Sequence, residues 1–261
     1  MTSTAFNFSP EELLKQMQAN KARSSGPRTD WHSLEAGTNT VRFVSDGRPW
    51  VIEYWQHRGV REDGKFCTVI DLDWLMGPEG KDVLEASSLG NEDAELVGRY
   101  GDPVKQLRDA ILPEDRNSDE YQAYYEAFKA AKYGPTASLG VLATAVVEGS
   151  VGLMRLPSGV YNTVWETFET NPVIVSATDG ADFVIKKSGK GLGTKYSTAL
   201  DTSTLNTPVP LDEGASFPSI ADGIARDVLD YHAKVKFVRR NYGQFIPEGF
   251  VFGGESVEEA A

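Results

Sequence analysis

Apolar positions recur at two different periods along the chain. Alternation with a period of two begins at Asn39, stops at Ile70 and returns at Thr136, which marks two β-rich segments. Residues 71–133, between them, follow helical spacing instead. The predicted strands are 40–44, 48–57, 65–70, 139–147, 151–156, 172–175, 181–186 and 195–198. The predicted helices are 9–20, 92–100, 103–111, 118–133, 158–168 and 219–232.

This order of elements predicts an α+β protein. We expect an OB-fold-like Greek-key β-barrel with an inserted helical subdomain and flanking N- and C-terminal helices. The predicted parts are an N-terminal helix with a basic linker (1–30), a core (31–240) with the insertion at about 71–133, and a short acidic tail (241–261). Aromatic residues at helical spacing within the insertion are assigned to the core. They are Tyr121, Tyr124, Tyr125 and Phe128.

Composition excludes several classes of protein. The chain has 261 residues, one cysteine and a formal net charge of -12. This charge argues against a protein that binds nucleic acid over its whole surface. A single cysteine allows no internal disulfide and fits a reducing compartment. No apolar run is long enough to cross a bilayer, and the first residues lack a secretory signal, so we expect no membrane partner and a cytoplasmic location.

One stretch opposes the acidic trend of the chain. Between Phe183 and Leu200 there are four lysines and no acidic residue. These lysines lie on a glycine-rich loop that can follow a sugar–phosphate chain, with aromatic side chains next to it that can stack on bases. The predicted phosphate contacts are Lys186, Lys187, Lys190 and Lys195, and the nearby stacking candidates are Tyr196 and Phe183. A solvated hairpin tip is the alternative interpretation.

A second mixture of basic and aromatic residues lies on the hairpin predicted around Asp63–Gly64. Stacking plus phosphate contact is one interpretation of this mixture, and simple packing of the aromatic residues on a half-buried sheet is the other. The further site candidates are Tyr54, Trp55, Arg58, Arg61, Lys65 and Arg155.

No catalytic motif accompanies these residues. The glycines at 189–193 fail the Walker pattern and the dinucleotide fingerprint, and the loop precedes a strand rather than a helix. The three histidines form no triad or metal motif. We therefore predict no catalytic residue, no metal and no cofactor, and we do not expect an enzyme.

The order of segments resembles the helix-destabilising, single-stranded-DNA-binding proteins of T-even phages and related tailed phages. Collinear features from about residue 9 to 205 carry the resemblance. They are the helix 9–17, the approach from Ser24 to Trp31 and Val41–Phe43, the hairpin around His57 and Gly64–Phe66, and the block from Leu139 through Trp165 to Asp179–Lys186.

The resemblance implies an OB-fold core with single-stranded DNA in a groove beside a helical subdomain. It also implies self-association through the N-terminal segment and recruitment of replication proteins by an acidic C-terminal tail. Family members with a zinc site have one histidine and three cysteines, whereas this chain keeps only His57 and Cys67. We therefore expect packing by Trp74 and Leu75 in place of zinc. A basic N-terminal arm is also absent before Ser9.

These observations predict a protein that binds single-stranded DNA without sequence preference during phage DNA replication, recombination or repair, in the cytoplasm of the infected bacterial host. The alternative is a phage virion or assembly protein that uses an OB-like barrel for protein–protein interaction. An enzyme with a site built from distant carboxylates is the third possibility.

Overall fold

The computed structural model describes residues 30–131 and 133–255, in which an eight-stranded mixed sheet is surrounded by helices. The strands are β1 (Asp30–His32), β2 (Gly37–Phe43), β3 (Val51–Val60), β4 (Phe66–Ile70), β5 (Ala137–Val147), β6 (Ser150–Arg155), β7 (Asp182–Ser188) and β8 (Lys195–Asp201). The helices are α1 (Leu72–Leu75), α2 (Lys81–Ala86), α3 (Asn91–Tyr100), α4 (Pro103–Ile111), α5 (Asp119–Ala130), α6 (Ser158–Thr170), α7 (Ile220–Ala225) and α8 (Tyr231–Tyr242).

The long strand β5 organises the sheet. One of its edges pairs with β6, and its other edge pairs first with β3 and then with the end of β2. β2 continues past β5 and pairs with β7, which forms a hairpin with β8. β4 extends the sheet from β3, and β1 adds a short parallel strand to β6.

The predicted α+β class is confirmed, but the expected barrel is not closed. Among the described residues, β1, β4 and β8 each pair with a single strand. The chain leaves β4 directly into the helical insertion, and it leaves β8 into a turn of 3-10 helix at Thr202–Thr204. These edges therefore do not meet, and the sheet remains open.

Side chains on β5 alternate between two hydrophobic clusters, as a period of two requires. Leu142 belongs to a cluster with the helical insertion, α7 and α8, whereas Val141 and Ala143 belong to a cluster with α6 and β7. The sheet therefore separates these two clusters, α6 covers one of its faces, and Val146 near the end of β5 belongs to a third, smaller cluster with Val44 and Val151.

The helical insertion occupies nearly the predicted range, from α1 to α5. Its helices begin where side chains cap the free backbone N–H groups: Asp102 accepts from Val104 at the start of α4, and Ser118 accepts from Tyr121 at the start of α5. Of the aromatic residues assigned to the core on α5, only Phe128 is buried, and Tyr124 and Tyr125 are exposed. The reason is that α5 packs on the core through Phe128, whose ring lies 5.0 Å from that of Phe245.

Two predicted elements differ from the structure. The strand predicted at 172–175 is a turn of 3-10 helix that Pro172 begins, at a position where the missing N–H costs no hydrogen bond and the fixed φ suits a helix. The single helix predicted at 219–232 is two helices in the structure. The first, α7, ends at Ala225, and Asp230 caps the start of the second, α8. At this break the carbonyl of Asp227 accepts a hydrogen bond from Ile70 at the end of β4.

The chain after residue 240 packs against the core as far as residue 255. Phe252 is buried, and Glu255 forms an ion pair with Arg239 at 2.7 Å. The predicted N-terminal helix at 9–20, its basic linker and the last six residues of the acidic tail lie outside the described residues.

Candidate nucleic-acid interface

The lysine-rich stretch forms the hairpin of β7 and β8, as its pattern predicts. Lys186 lies opposite Ser197, and Ser188 lies opposite Lys195. Gly189 turns the chain with a φ of +78°, and a Cβ there would lie 2.3 Å from the carbonyl oxygen of Gly193. Glycine is therefore required at this point for the turn to stay compact.

Three of the predicted lysines are exposed on this hairpin. They are Lys186, Lys190 and Lys195. None of the three has an ion pair with another described residue. Because their charge is not neutralised by a neighbouring carboxylate, it is available to an anionic ligand.

Lys187 is the exception among the four lysines. Its Nζ donates a hydrogen bond of 2.6 Å to the carbonyl oxygen of Leu34, in the segment after β1. This contact fastens the hairpin to the segment between β1 and β2, so Lys187 stabilises the fold at the same place where its neighbours present charge.

The two aromatic candidates of the hairpin lie at different depths. Tyr196 is partly buried and packs at the edge of the cluster below α6. Phe183 is completely buried, with its ring 5.7 Å from the ring of Phe43. The ring of Phe183 presents no face to solvent in this structure.

The second predicted group lies at the hairpin of β3 and β4. Arg58 and Arg61 are exposed, and Lys65 is exposed and forms an ion pair with Asp63 at 3.1 Å. Phe66, which is 58% exposed, lies 6.1 Å from the ring of Tyr133. Tyr133 was not among the predicted site residues, because nothing in the sequence pairs it with the hairpin.

The two remaining aromatic candidates are neighbours on β3 and point to opposite faces of the sheet. Trp55 is 44% exposed and lies opposite Leu139, which is also exposed. Tyr54 is buried, and its ring covers Gly140, where a Cβ would lie 2.6 Å from the ring. Burial raises the pKa of Tyr54, and the nearby charge of Arg155 acts in the opposite direction.

Arg155 lies at the end of β6 and is held on three sides. Its guanidinium donates to Thr68 Oγ1 at 3.0 Å, forms an ion pair with Asp227 and lies over the ring of Trp31, 5.7 Å from the ring centroid. Trp31 and Asp227 were not predicted as site residues. They are distant from Arg155 in sequence, and only the pairing of β1 with β6 brings Trp31 next to it.

The sheet places the two hairpins in opposite directions along β5. β3 pairs with the start of β5, where His57 lies opposite Ala137, and its hairpin with β4 continues past that end. β2 pairs with the other end of β5, where Arg42 lies opposite Val146, and the lysine hairpin continues beyond it. The predicted site residues of the two hairpins therefore form two groups rather than one, and Arg155 on β6 belongs to neither hairpin.

A buried polar cluster lies between β3, β4 and α8. His57 Nε2 lies 3.2 Å from Asp71 and 3.6 Å from Asp102, and Lys234 binds Asp102 and the carbonyl of Ile70. Burial alone would raise the pKa of Asp71, but the close approach of the His57 imidazole and the charge of Lys234 hold this pKa well below its usual range.

This cluster is also where ligands for a metal ion come together in the described part of the chain. The ligand atoms of His57, Asp71 and Asp102 lie within 4.8 Å of one another. The set does not fit the zinc site that the resemblance would suggest, since it has no thiolate and the ammonium of Lys234 already occupies the space beside Asp102. Trp74 and Leu75 are buried nearby, as predicted.

A polar cleft of about 900 Å³ lies elsewhere, between the segment 212–219, the end of α2 and Asp30. No predicted site residue lines it.

No helix in the described part of the chain combines the length and apolar character that a membrane span requires.

No protein-family model matches this chain, and no curated protein matches it.

Proposed function

We propose that this protein binds single-stranded DNA without sequence preference and carries out no catalysis. The observation that carries the proposal is the hairpin of β7 and β8, which presents Lys186, Lys190 and Lys195 without ion pairs among the described residues. In a chain with a net charge of -12, carboxylates are abundant, and a hairpin that avoids them favours an external anion.

The anion is a polymer rather than a mononucleotide. The turn at 189–193 is not followed by an α-helix whose N-terminus could hold a phosphate group, and the three exposed lysines lie on β7, in the turn and at the start of β8. A sugar–phosphate chain can contact charges distributed in this way and releases counterions from several phosphates.

Exposed aromatic side chains supply the second half of the proposal. Trp55 presents a large part of its ring on β3, and Phe66 does so on β4 of the same hairpin. Bases of a single strand are free to stack on such rings, at about 1–3 kcal/mol per base, whereas bases in a duplex are not.

We further propose an OB-like arrangement of the core. A strand such as β2, which pairs with β5 at one end and with β7 at the other, is compatible with a partly open Greek-key barrel. DNA would run along β5 between the two hairpins, which lie beyond its opposite ends.

The biological setting is proposed from the resemblance described above. The protein would protect and organise exposed strands during phage DNA replication, recombination or repair, in the cytoplasm of the infected host. Self-association through the N-terminal segment and contacts of the acidic tail with replication proteins belong to the same proposal.

Binding to oligo(dT) and to a duplex of equal length, followed by tryptophan fluorescence across a salt series, tests the proposal. We expect quenching by oligo(dT), much weaker binding of the duplex, and an affinity that falls steeply as salt rises. Equal affinity for duplex, or an affinity independent of salt, would overturn it. Tight self-association without a response to nucleic acid would instead favour an assembly protein.

Lysine variants test the surface itself. Replacing Lys186, Lys190 and Lys195 by alanine should reduce the slope of log affinity against log salt by about 2, since each phosphate contact on a single strand contributes about 0.7. The control replaces three other exposed lysines, Lys81, Lys105 and Lys236, with the same change in net charge. If both triple variants lose the same slope, the effect comes from net charge and the hairpin is not the interface.

A further inference from the structure

Trp31 and Arg155 form a stacked pair at the edge of the sheet. The guanidinium of Arg155 lies 5.7 Å from the centroid of the Trp31 ring. The side chain of Arg155 is 43% exposed, and Trp31 is 40% exposed. Trp31 belongs to β1, which pairs only with β6 among the described strands, so its other side faces an open edge.

Arg155 is fixed in place before any ligand arrives. Thr68 Oγ1 accepts a hydrogen bond of 3.0 Å from it, and Asp227, whose side chain is 14% exposed, neutralises its charge. Thr68 also donates to Asp227 at 3.3 Å, so the three polar groups hold one another. A guanidinium held in this way keeps the Trp31 ring in one orientation, which reduces the entropy lost when a flat ligand stacks on the ring.

The pair lies close to the lysine hairpin. Leu34 lies three positions after Trp31 in the chain, and an extended segment of that length spans about 10 Å at most. The carbonyl of Leu34 is the acceptor for Lys187 on the hairpin. The backbone of Trp31 therefore lies near the anchor of the lysine hairpin, and we take this separation as short enough for one DNA strand of several nucleotides to contact the exposed lysines and Trp31.

We propose that Trp31, backed by Arg155, is a stacking position for one base of single-stranded DNA, and that Asp227 and Thr68 are positioning residues for it. This inference rests on the proposed function and deepens it. A base stacks on the exposed part of the indole while its phosphates contact Lys186 and Lys190. Because Asp227 neutralises Arg155, the position contributes stacking and no net charge.

Salt dependence separates this contribution from that of the lysines. Trp31→Leu should weaken oligo(dT) binding about tenfold while the slope of log affinity against log salt stays as in the wild type. Trp31→Tyr keeps an aromatic ring and should restore most of the affinity, and both variants should lose part of the fluorescence quenching. Tyr124→Leu, an exposed ring on α5, is the control and should bind as the wild type does.

Asp227→Asn tests the positioning role through the sign of its effect. Removal of a negative charge near DNA should strengthen binding if only charge matters, whereas loss of the fixed Arg155 should weaken it severalfold. Weaker binding with a thermal melt close to that of the wild type supports the proposal, and stronger binding overturns it.

The outcomes distinguish this inference from the proposed function. If the wild type does not bind oligo(dT), the proposed function fails. If the wild type binds and Trp31→Leu binds with equal affinity and equal quenching, the stacking position is wrong and the proposed function stands. A lower slope in Trp31→Leu would also overturn the inference, because the contribution would then be ionic.

Discussion

At the scale of single residues, adjacent side chains on one strand differ in their exposure to solvent. Trp55 is exposed and Tyr54 is buried, since successive residues of a strand point to opposite faces. The alternation can be read from the sequence, but the covered face cannot, because it depends on Gly140 leaving room for the Tyr54 ring. The same alternation holds on β7. Phe183 and Ile185 point to the buried face of this strand, whereas Lys186 points to the exposed face.

The buried Asp71 makes stability depend on pH. Its pKa is lowered in the folded state, so its contribution is present above the unfolded value of about 3.9 and is lost as the pH falls below it. Asp71→Asn retains a side-chain oxygen that can cap α1 but removes the charge. We expect the variant to be less stable at pH 7 by about 1–3 kcal/mol, and its stability to fall less between pH 5 and pH 3.

Urea unfolding monitored over that pH range measures this effect. Glu85→Gln, an exposed carboxylate on α2, provides the control and should follow the wild type. An Asp71→Asn variant with an acid profile parallel to that of the wild type would contradict the assignment of the buried charge.

At the scale of elements, local signals predicted most helices and strands. The helix predicted at 103–111 is confirmed as α4, whose start Asp102 caps, and the lysine hairpin formed where glycines follow an apolar run. Errors occurred where a distant contact decided the outcome. The break between α7 and α8 depends on Asp227, whose carbonyl binds Ile70 on β4 and whose carboxylate binds Arg155 on β6.

Two neighbouring lysines on β7 should have separate effects. Lys187→Ala removes the hydrogen bond to Leu34 and should lower stability by about 1 kcal/mol. Lys186→Ala should leave the thermal melt unchanged and reduce the salt slope of DNA binding by about 0.7. Thermal melts and salt titrations of both single variants check this, and a melt lowered equally by both would show that Lys186 is structural.

At the scale of the whole molecule, the open sheet separates the predicted site residues into two groups. The sequence indicated which residues carry charge, but their arrangement depends on how β2 and β3 follow each other along β5. The pair of Trp31 and Arg155 was not predictable for the same reason, since it depends on parallel pairing between β1 and β6. Long-range pairing of this kind leaves no local pattern in the sequence.

Two separated groups predict a dependence on DNA length. The double variant of Arg58 and Arg61 to alanine should weaken binding of oligo(dT) of about 16 nucleotides and have little effect on one of about 4, if short strands bind at the lysine hairpin. The lysine triple variant should weaken binding of both. Titration with a series of lengths measures the difference, and equal losses at the shortest length would contradict a path between the hairpins.

The open edge of β8 has a consequence for the protein when no DNA is bound. Among the described strands, β8 pairs only with β7, so the N–H and C=O groups of its outer edge are available to a strand from another molecule. Exposed lysines on an edge discourage such pairing, because two copies would bring like charges together. Lys195 begins this edge, and Lys190 lies in the turn before it. The charges that would attract DNA would therefore also disfavour edge-to-edge pairing of free molecules.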